Sequence, residues 1–501
     1  MKIVVSDIET NKLVGSDKLW LCGGMDIVTG EVYQFDKCHE DEVAAKAAAE
    51  FYQSCDKIIG HNFIQFDAPE INRFLGKGVI DPKKIIDTLV VSRTHNYGIE
   101  IPKGSRKGPH SLESWGIRLG VHKGDFTDFE NFSDTMVEYW LGDLDTTKAL
   151  FQHFKKVIYN KDWAKSLRCE HDLQIELVRT KFYGFHFNTP QATNMLDDIK
   201  VEMDELEEQF QVDFPPKLEE VNRVQYRLKK DGTEFSTVTN AKSRYAFCSK
   251  SLDGLELVCH DWIPFNPGSP QMRIDALWDA GWKPFEKTKT HNKFTRLSVG
   301  DKPTAKAPPM TQEVYNEKKK YFERYGWTCS EDNLSTLPPD APSGAAALAK
   351  WLTLEGRRSS LVEWLGQVGK DGRIHGDINN IGAWTGRCSH NNPNTANIAS
   401  PFHGKAKTAV EFVKEKYDYN MRACWDVPKG SWLVGCDADG IQLRVLADYM
   451  WRYYGETEYA DAIMSGKKDD GTDIHNVNRR ALGVEHATRD DAKTFELNGR
   501  L

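Results

Sequence analysis

The clearest pattern of hydrophobic and polar positions lies in residues 432–450, WLVGCDADGIQLRVLADYM. The apolar run 432–436 predicts a buried strand. The Asp-Ala-Asp-Gly that follows has the composition of a turn, and the apolar spacing after it predicts a packed helix. Asp437 ends the predicted strand, where a carboxylate is costly to bury unless a cation meets it. It is therefore a candidate metal ligand, with capping of the next helix as the alternative.

The N-terminus combines a predicted strand with two acidic residues. Residues 2–5 are mostly apolar and lead into Asp7 and Glu9, which lie on the same side of an extended chain because they are two residues apart. Two adjacent carboxylates repel each other unless a divalent metal neutralises them. Alternate acids also occur on surface strands, so the pair alone leaves a structural interpretation open.

Two further segments place acidic residues on predicted helices. After a predicted strand at residues 58–59 and a polar turn, Asp67 begins a helix, where an aspartate also suits a capping role. Tyr139 and Asp143 are four residues apart in a predicted helix and so face the same way. A chance pair is the alternative for these two.

Taken together, the three segments resemble the three DEDD-type exonuclease motifs of family A DNA polymerases, in the same order and spacing. The residues that match are Asp7, Glu9, Asp67, Tyr139 and Asp143. The stretches IDTL (86–89) and GPHSLESWGIRLG (108–120) also resemble the bacteriophage-type members. Asp87 and Asp145 lie near the motifs, but the resemblance does not assign them to metal, and we interpret them as structural.

This resemblance implies a ribonuclease H-like fold with two Mg²⁺ ions held by the four carboxylates. A water oriented by Tyr139 would then attack the terminal phosphodiester. Two metals can stabilise both the attacking and the leaving oxygen, and hard oxygen ligands suit Mg²⁺, with Mn²⁺ as a substitute.

The middle third begins with a predicted pair of helices over residues 170–210. The sequence GFHFNTP (184–190) separates them, and we expect Thr189 to cap the second helix with Pro190 in its first turn. This pair resembles the start of a polymerase thumb, and residues 265–282 resemble a later thumb segment.

Two other segments of the middle third lack clear periodicity. Residues 215–262 combine strand-like pieces with a charged turn, and we expect a decorated loop. The alternative is a thumb insertion that binds a processivity factor, as in some phage members. Residues 288–309 are basic and rich in Pro and Thr, which predicts a linker or flexible loop close to DNA phosphates.

A polar segment, GRIHGDINNIGAWTGRCSHNNPNTANI (372–398), is poor in core residues. Side chains of this kind contact the phosphates, sugars and base edges of DNA, although an ordinary surface loop is the alternative. TGR followed by PN resembles the primer-template-binding segment of family A polymerases. The candidate DNA-binding residues are Thr385, Arg387, Asn391 and Asn394.

Beyond this segment, residues 432–450 resemble motif A of the palm, in which Asp437 would bind metal. Gln442 replaces the glutamate that most members use to exclude ribonucleotides, and we expect it to keep that role. Residues 473–475 resemble the start of the fingers, where His475 would help to hold the incoming dNTP. In residues 488–495, which resemble motif B, Arg489 and Lys493 form a cationic face suited to a triphosphate; a solvated basic face is the alternative.

The resemblance is lost at Glu496. Leu497 occupies a position that is aromatic in the family, and the 501 residues contain no His-Asp-Glu of motif C. We expect either an intron or similar insertion at this point or a truncated gene assignment. Polymerisation is accordingly expected only when the missing fingers and motif C come from a second chain or from gene rejoining.

The composition limits the cellular compartments in which we expect the protein. A net charge of −8 argues against a uniformly basic protein but allows local basic grooves. The ten cysteines include no CxxC pair, which disfavours zinc sites and a disulfide framework and suits a reducing compartment. No stretch reaches the length of a membrane span, and no signal sequence is evident. We therefore expect a cytoplasmic protein without a membrane partner, in the host cell if it is phage-encoded.

The sequence thus predicts an α/β multidomain chain. The expected domains are a ribonuclease H-like exonuclease (1–165), a thumb (166–370) with an insertion at 215–262, and an incomplete palm and fingers (371–501). We expect a family A DNA-directed DNA polymerase of DNA replication with 3′–5′ proofreading, acting on primer-template DNA, single-stranded 3′ ends and dNTP. The alternatives are a free-standing 3′–5′ exonuclease with a DNA-binding appendage and a non-catalytic DNA-binding remnant.

Overall fold

A computed structural model gives the fold of most of the chain. It describes residues 1–121, 124, 126–304, 307–341, 343–383, 385–398, 420–438, 440–467, 469–483, 486–489 and 491–492. These residues divide into two compact units, Met1–Pro428 and Lys429–Leu501. No helix among them is both long enough and apolar enough to span a membrane.

A six-stranded sheet forms the centre of the N-terminal part. Its order is β2-β3-β1-β5-β6, with β4 added beside β3. Strand β1 is antiparallel to β3 and parallel to β5, and β6 continues parallel to β5. The strands are β1 (Ile3–Ser6), β2 (Glu9–Thr10), β3 (Leu19–Asp26), β4 (Val32–Asp36), β5 (Lys57–Gly60) and β6 (Ile85–Asp87).

Helices cover both faces of this sheet. Val4 and Ile58 belong to one core with residues of α1 and α2. Their neighbours Val5 and Ile59 point to the opposite face and pack with Trp140 of α5, because successive side chains of a strand alternate in direction. The helices are α1 (Glu42–Ser54), α2 (Asp67–Leu75), α3 (Thr88–Asn96), α4 (Leu112–Leu119), α5 (Asp134–Ile158) and α6 (Lys161–Tyr183).

Helix α6 belongs by its packing to the N-terminal part. Ile175 and Val178 on its buried side are members of the core that contains Val4, and Leu167 packs with residues of α3, α4 and α5. The expected domain boundary at residue 165 lies inside this helix.

A second large core joins long helices of the middle third. The helix pair predicted over residues 170–210 is present, and α7 packs along α13 in this core. Asn188, not Thr189, caps α7, because its side chain accepts a hydrogen bond from the Gln191 amide at 3.1 Å. The helices are α7 (Thr189–Asp213), α9 (Pro270–Asp279), α10 (Lys289–Phe294), α11 (Gln312–Tyr325), α12 (Glu331–Leu334) and α13 (Ser343–Gln367).

The segment 215–262 is a folded subdomain, so the expectation of a decorated loop was wrong. Strand β10 lies between β8 and β9 in an antiparallel sheet. Val238 and Ala241 of α8 pack on Leu257 and Cys259 of β10, which gives the insertion its own small core. Its elements are β8 (Lys217–Gln225), α8 (Ser236–Arg244), β9 (Phe247–Lys250) and β10 (Glu256–Ile263).

The linker expected over residues 288–309 is also partly ordered. Helix α10 occupies its first part, and Thr288 caps that helix by accepting a hydrogen bond from the His291 amide at 3.1 Å. His291 and Phe294 are buried, so this stretch packs against the protein and does not connect two domains.

The remaining strands are short, and the C-terminal unit is helical. Strand β7 (Phe185–His186) pairs with β11 (Arg373–Ile374), and β12 (Asp377–Asn379) forms a hairpin with β13 (Ser389–Asn391). The hairpin lies in the polar segment singled out in the sequence. The helices of the second unit are α14 (Ile441–Tyr454), α15 (Glu458–Ser465) and α16 (Ile474–Leu482).

The strand predicted over residues 432–436 is absent. Trp432 and Val434 are 90% and 86% exposed, and no strand of the described residues pairs with this segment. An extended segment becomes a strand only when a neighbour satisfies its backbone groups, so the apolar pattern alone was insufficient. The packed helix predicted after the turn is confirmed as α14.

Candidate active site

Five predicted exonuclease residues lie around one cavity of the N-terminal part. The cavity has a volume of about 430 Å³. Ligand oxygens of Asp7, Glu9 and Asp143 lie within 4.8 Å of one another. The predicted residues that line this cavity are Asp7, Glu9, Asp67, Tyr139 and Asp143.

The sheet and one buried tryptophan position the first two carboxylates. Asp7 directly follows β1, and Glu9 begins β2, where it pairs with Leu21 of β3. The indole N–H of Trp140, which is fully buried, donates to the Asp7 carbonyl at 2.9 Å. Trp140 lies in α5 between Tyr139 and Asp143, so one helix fixes the backbone at Asp7 and supplies the last two residues of the site.

Asp67 is held by the turn that precedes it. The Asp87 carboxylate accepts hydrogen bonds from the Asn62 and Ile64 amides, both at 3.0 Å, and from the Leu89 amide at 2.9 Å. Asp87 thus caps α3 and fixes the turn 61–66, in agreement with its interpretation as structural. Asp67 is the first residue of α2, and the cap position before it is occupied by Phe66, which makes no side-chain cap. Asp145 is exposed on α5.

The site concentrates negative charge in a buried place. Glu9, Asp67 and Asp143 are 6%, 4% and 4% exposed. Burial, and then the neighbouring Asp7 carboxylate, raises the pKa of Asp67 well above its ordinary value. Such a cluster is stable in its charged form when cations neutralise it. Because every candidate ligand atom is a carboxylate oxygen, the residues fit Mg²⁺ or Mn²⁺ and not a soft metal.

Sequence reasoning missed an aromatic wall and several polar residues of this cavity. The Tyr139 ring lies 5.6 Å from the ring of Phe126 and 6.1 Å from that of Phe129. Two aromatic residues spaced by three in the FTDF stretch were the available signal. The cavity is also lined by His61, Asn62, Phe129, Lys12 and Lys107.

The predicted polymerase residues of the second unit do not form a comparable cluster. Asp437 is exposed, which removes the argument that a buried carboxylate there requires a cation. It does not cap α14 either, because the cap position is Gly440 and has no side-chain cap. Gln442 is also exposed. Among the described residues, the acidic cluster suited to metal is the one around Asp7.

Two predicted nucleotide-binding residues lie close together at α16. Asp473 caps this helix by accepting a hydrogen bond from the His475 amide at 3.2 Å, and Arg489 forms an ion pair with Asp473 at 3.0 Å. Thr488 and Asp491 cap each other reciprocally. Lys493 and Leu497 lie outside the described residues.

The candidate DNA-binding residues lie on or beside the β12–β13 hairpin. All four are exposed. Asn394 also has a structural role, because its side chain accepts a hydrogen bond from the Ala396 amide at 3.2 Å. The other residues of the set are Thr385, Arg387 and Asn391.

Helix α6 contacts this hairpin directly. The Asn380 amide group donates to the Glu170 carboxylate at 3.2 Å, and Lys181 forms an ion pair with Asp377 at 2.5 Å. Asn380 is fully buried. The hairpin is therefore fixed to the same helix that packs in the core beneath the carboxylate cavity.

Comparison with known proteins finds similarity to one family of enzymes. Residues 301–497 match the family model described as DNA polymerase family A. It is 27% identical to the DNA-directed DNA polymerases of Enterobacteria phage T3 and Escherichia phage T7, over 98% of its own length and 74% of theirs. The predicted family resemblance is thereby confirmed.

Two more distant similarities agree with this assignment. A region covering 19% of the chain is 35% identical to DNA polymerase gamma of Schizosaccharomyces pombe, of which it covers 9%. The fold is similar to the polymerase domain of Pol1 from M. smegmatis, solved in complex with DNA primer-template and dNTP. That match has a TM-score of 0.54 at 17% identity and covers 99% of this chain and 66% of the other.

Proposed function

We propose that the N-terminal part is a 3′–5′ exonuclease of ribonuclease H-like fold, which proofreads for the family A polymerase module on the same chain. The observation that supports it best is the convergence of four carboxylates and Tyr139, from three separate segments, on one cavity. The sheet with helices on both faces agrees with the proposed fold.

The chain's own residues suit phosphodiester hydrolysis. Asp7, Glu9 and Asp143, with Asp67 beside them, would hold two Mg²⁺ ions, which supply charge stabilisation for the scissile phosphate. Tyr139 would orient the attacking water through its hydroxyl group. Lys12 and Lys107 at the cavity rim would attract the phosphate backbone, and the ring of Phe129 offers a surface on which the terminal base can stack.

A double substitution tests the exonuclease. Asp7→Ala with Glu9→Ala removes two carboxylates of the cluster, and we expect removal of nucleotides from the 3′ end of a 5′-labelled single strand to slow by several orders of magnitude. Asp145→Ala removes an exposed carboxylate of α5 and should leave the rate unchanged. Wild-type rates in the double variant would show that another site degrades the strand.

We further propose that the rest of the chain binds primer-template DNA and dNTP, as a thumb that begins after α6 and reaches residue 370, and as parts of a palm and fingers (371–501). Asp437 would bind the catalytic metal, Gln442 would lie near the sugar of the nucleotide, and His475, Arg489 and Lys493 would contact its triphosphate. The family match over residues 301–497 supports this assignment, as does the similarity of the fold to a polymerase domain.

Arg387 provides a test of DNA binding by the hairpin. Arg387→Ala should weaken primer-template binding and lower the slope of log K against log salt by about 0.9, the contribution of one phosphate contact. Arg179→Ala is the matched control, because Arg179 is an exposed arginine of α6 that forms an ion pair with Glu176. An unchanged slope in Arg387→Ala would remove this residue from the interface.

A further inference from the structure

A second cavity adjoins the carboxylate cavity. It has a volume of about 460 Å³, and the two cavities share His61, Asn62 and Lys107 as lining residues. The second cavity contains none of the four clustered carboxylates. Its lining includes Arg93 of α3 and Asn379 of the β12–β13 hairpin. It therefore lies between the exonuclease residues and the candidate DNA-binding segment.

Arg93 is the unusual residue of this second cavity. It lies in the last turn of α3 and is half-buried, and burial lowers the pKa of its guanidinium group. No described residue forms a hydrogen bond or an ion pair with that group. A partly desolvated cation without such a partner is costly, and an anionic ligand would offset the cost.

The acidic residues nearby are already committed to other partners. The two Asp87 oxygens accept three backbone hydrogen bonds. The Glu113 carboxylate accepts from the Arg106 amide at 2.8 Å and from the Ser105 hydroxyl at 3.2 Å.

Two of the other basic side chains of this cavity, those of His110 and Lys107, differ in charge. Burial, and then the nearby Arg93, lower the pKa of His110 to about 4, so this imidazole is neutral at pH 7. Lys107 is exposed at the rim. Arg93 therefore brings a permanent positive charge into the cavity.

We propose that the second cavity binds the phosphodiester one nucleotide upstream of the scissile bond, with Arg93 as the residue that contacts it. The inference rests on the proposed exonuclease function and deepens it. A strand whose last nucleotide fills the carboxylate cavity must place its next phosphate in an adjoining space. Arg93 meets that phosphate with charge, whereas the amides of Asn62, Gln65 and Asn379 offer uncharged donors.

Substrates with and without the second phosphate test the proposal in the full-length protein. Arg93→Gln should slow single-turnover hydrolysis of a single-stranded oligonucleotide about tenfold to a hundredfold, because a charge-assisted hydrogen bond is lost. Hydrolysis of a mononucleotide ester, p-nitrophenyl thymidine 5′-phosphate, should be unchanged, since this substrate has no second phosphate. Arg179→Gln is the control for loss of one arginine charge in the same part of the chain.

A neutral linkage locates the contact. The wild type should cut an oligonucleotide with a methylphosphonate at the second linkage from the 3′ end more slowly than the normal strand. Arg93→Gln should cut these two strands at the same rate. A methylphosphonate at the fifth linkage should slow both proteins equally. The inference about Arg93 is wrong if Arg93→Gln cuts the normal strand as fast as the wild type does. It is also wrong if the methylphosphonate at the second linkage slows the variant as much as the wild type. Either result, with a wild type that cuts DNA, leaves the exonuclease proposal intact. If the wild type cuts no substrate, the exonuclease proposal itself is wrong.

Discussion

At the scale of single residues, Asp87 shows how a carboxylate outside the acidic cluster shapes it. One of its oxygens accepts from the Asn62 and Leu89 amides and the other from the Ile64 amide. These bonds fix the turn that leads to Asp67. The backbone conformation of that turn is itself unusual, because Asn62 has a φ of 63°, which residues other than glycine adopt infrequently.

We predict that Asp87→Asn slows the exonuclease at least about tenfold. The amide group of asparagine directs N–H toward the Ile64 N–H, and an unmet buried donor costs about 1–3 kcal/mol. The turn should loosen, so half-saturation with Mn²⁺ should require more metal, which is measured by titrating the initial rate. Asp145→Asn, at an exposed position of α5, is the matched control. An unaltered metal requirement in Asp87→Asn would contradict a positioning role.

His110 gives a prediction about stability and pH. Its folded-state pKa is about 4, against an ordinary value of 6.5, so below pH 6.5 the unfolded chain binds a proton that the folded chain does not. Stability is therefore lost as pH falls from 6.5 to 4, by up to about 3 kcal/mol.

His110→Gln removes this titration while keeping a polar group for the Ser92 hydroxyl, which lies 2.8 Å from the imidazole. The free energies of unfolding of variant and wild type, from urea titrations, should differ by a constant amount above pH 7. Below pH 6.5 the variant should become more stable relative to the wild type. Parallel curves down to pH 4 would show that the imidazole is protonated in the folded protein.

The sequence predicted candidate site residues where a motif has fixed spacing and missed those that only the fold brings together. Asp7, Glu9, Tyr139 and Asp143 follow strand and helix periodicity, so their common orientation could be predicted. Phe129 and Lys107 lie in irregular segments, whose course depends on tertiary packing. Arg93 was missed because its significance comes from partial burial without a hydrogen bond or ion pair from a described residue, which no one-dimensional pattern contains.

At the scale of elements, the insertion shows both the power and the limit of local patterns. Strand-like pieces were evident in residues 215–262, but their pairing was not, since thirty residues separate β8 from its partner β10. The opposite error occurred at residues 432–436, where an apolar run has no described partner strand and is exposed. In both cases the deciding factor is a distant partner for backbone hydrogen bonds.

We predict that the insertion can be removed without unfolding the rest. Lys217 and Ile263 are directly paired in antiparallel strands, so an Asn-Gly turn can join them after residues 218–262 are deleted. Exonuclease activity on single strands and the thermal midpoint of the remaining protein should change little, because the insertion has its own core.

A point variant provides the control for this deletion. Leu257→Asp places a charge in the small core and should unfold the insertion alone, again with a normal exonuclease rate. Loss of exonuclease activity in both proteins would show that the subdomain supports the rest of the fold.

At the scale of the whole molecule, the two proposed activities differ in how many of their expected residues lie among these 501. The exonuclease set is assembled in one cavity, whereas the 501 residues contain one motif A aspartate and no His-Asp-Glu of motif C. Two-metal phosphoryl transfer requires more than one carboxylate to hold both ions.

We therefore predict that a polypeptide of these 501 residues hydrolyses single-stranded DNA but does not extend a primer. A second polypeptide with the rest of the fingers and motif C should restore template-directed incorporation, measured by extension of a labelled primer, and Asp437→Ala in the first chain should abolish the restored activity. Efficient extension by the 501-residue polypeptide alone would contradict the prediction and would require a catalytic carboxylate set that we have not identified.

Helix α6 has a consequence for how a primer end reaches the carboxylates. Its 23 residues form one uninterrupted helix, about 35 Å long, that packs in the core of the N-terminal part and contacts the β12–β13 hairpin. Because the helix is anchored at both places, the distance between the hairpin and the carboxylate cavity is constant. A DNA strand bound at the hairpin must span that distance to reach the carboxylates. The number of bases that must separate from the template before cleavage is then a property of the protein and not of the DNA sequence. On primers with successively more terminal mismatches, exonuclease rates should rise in a single step, at the same mismatch count for every sequence.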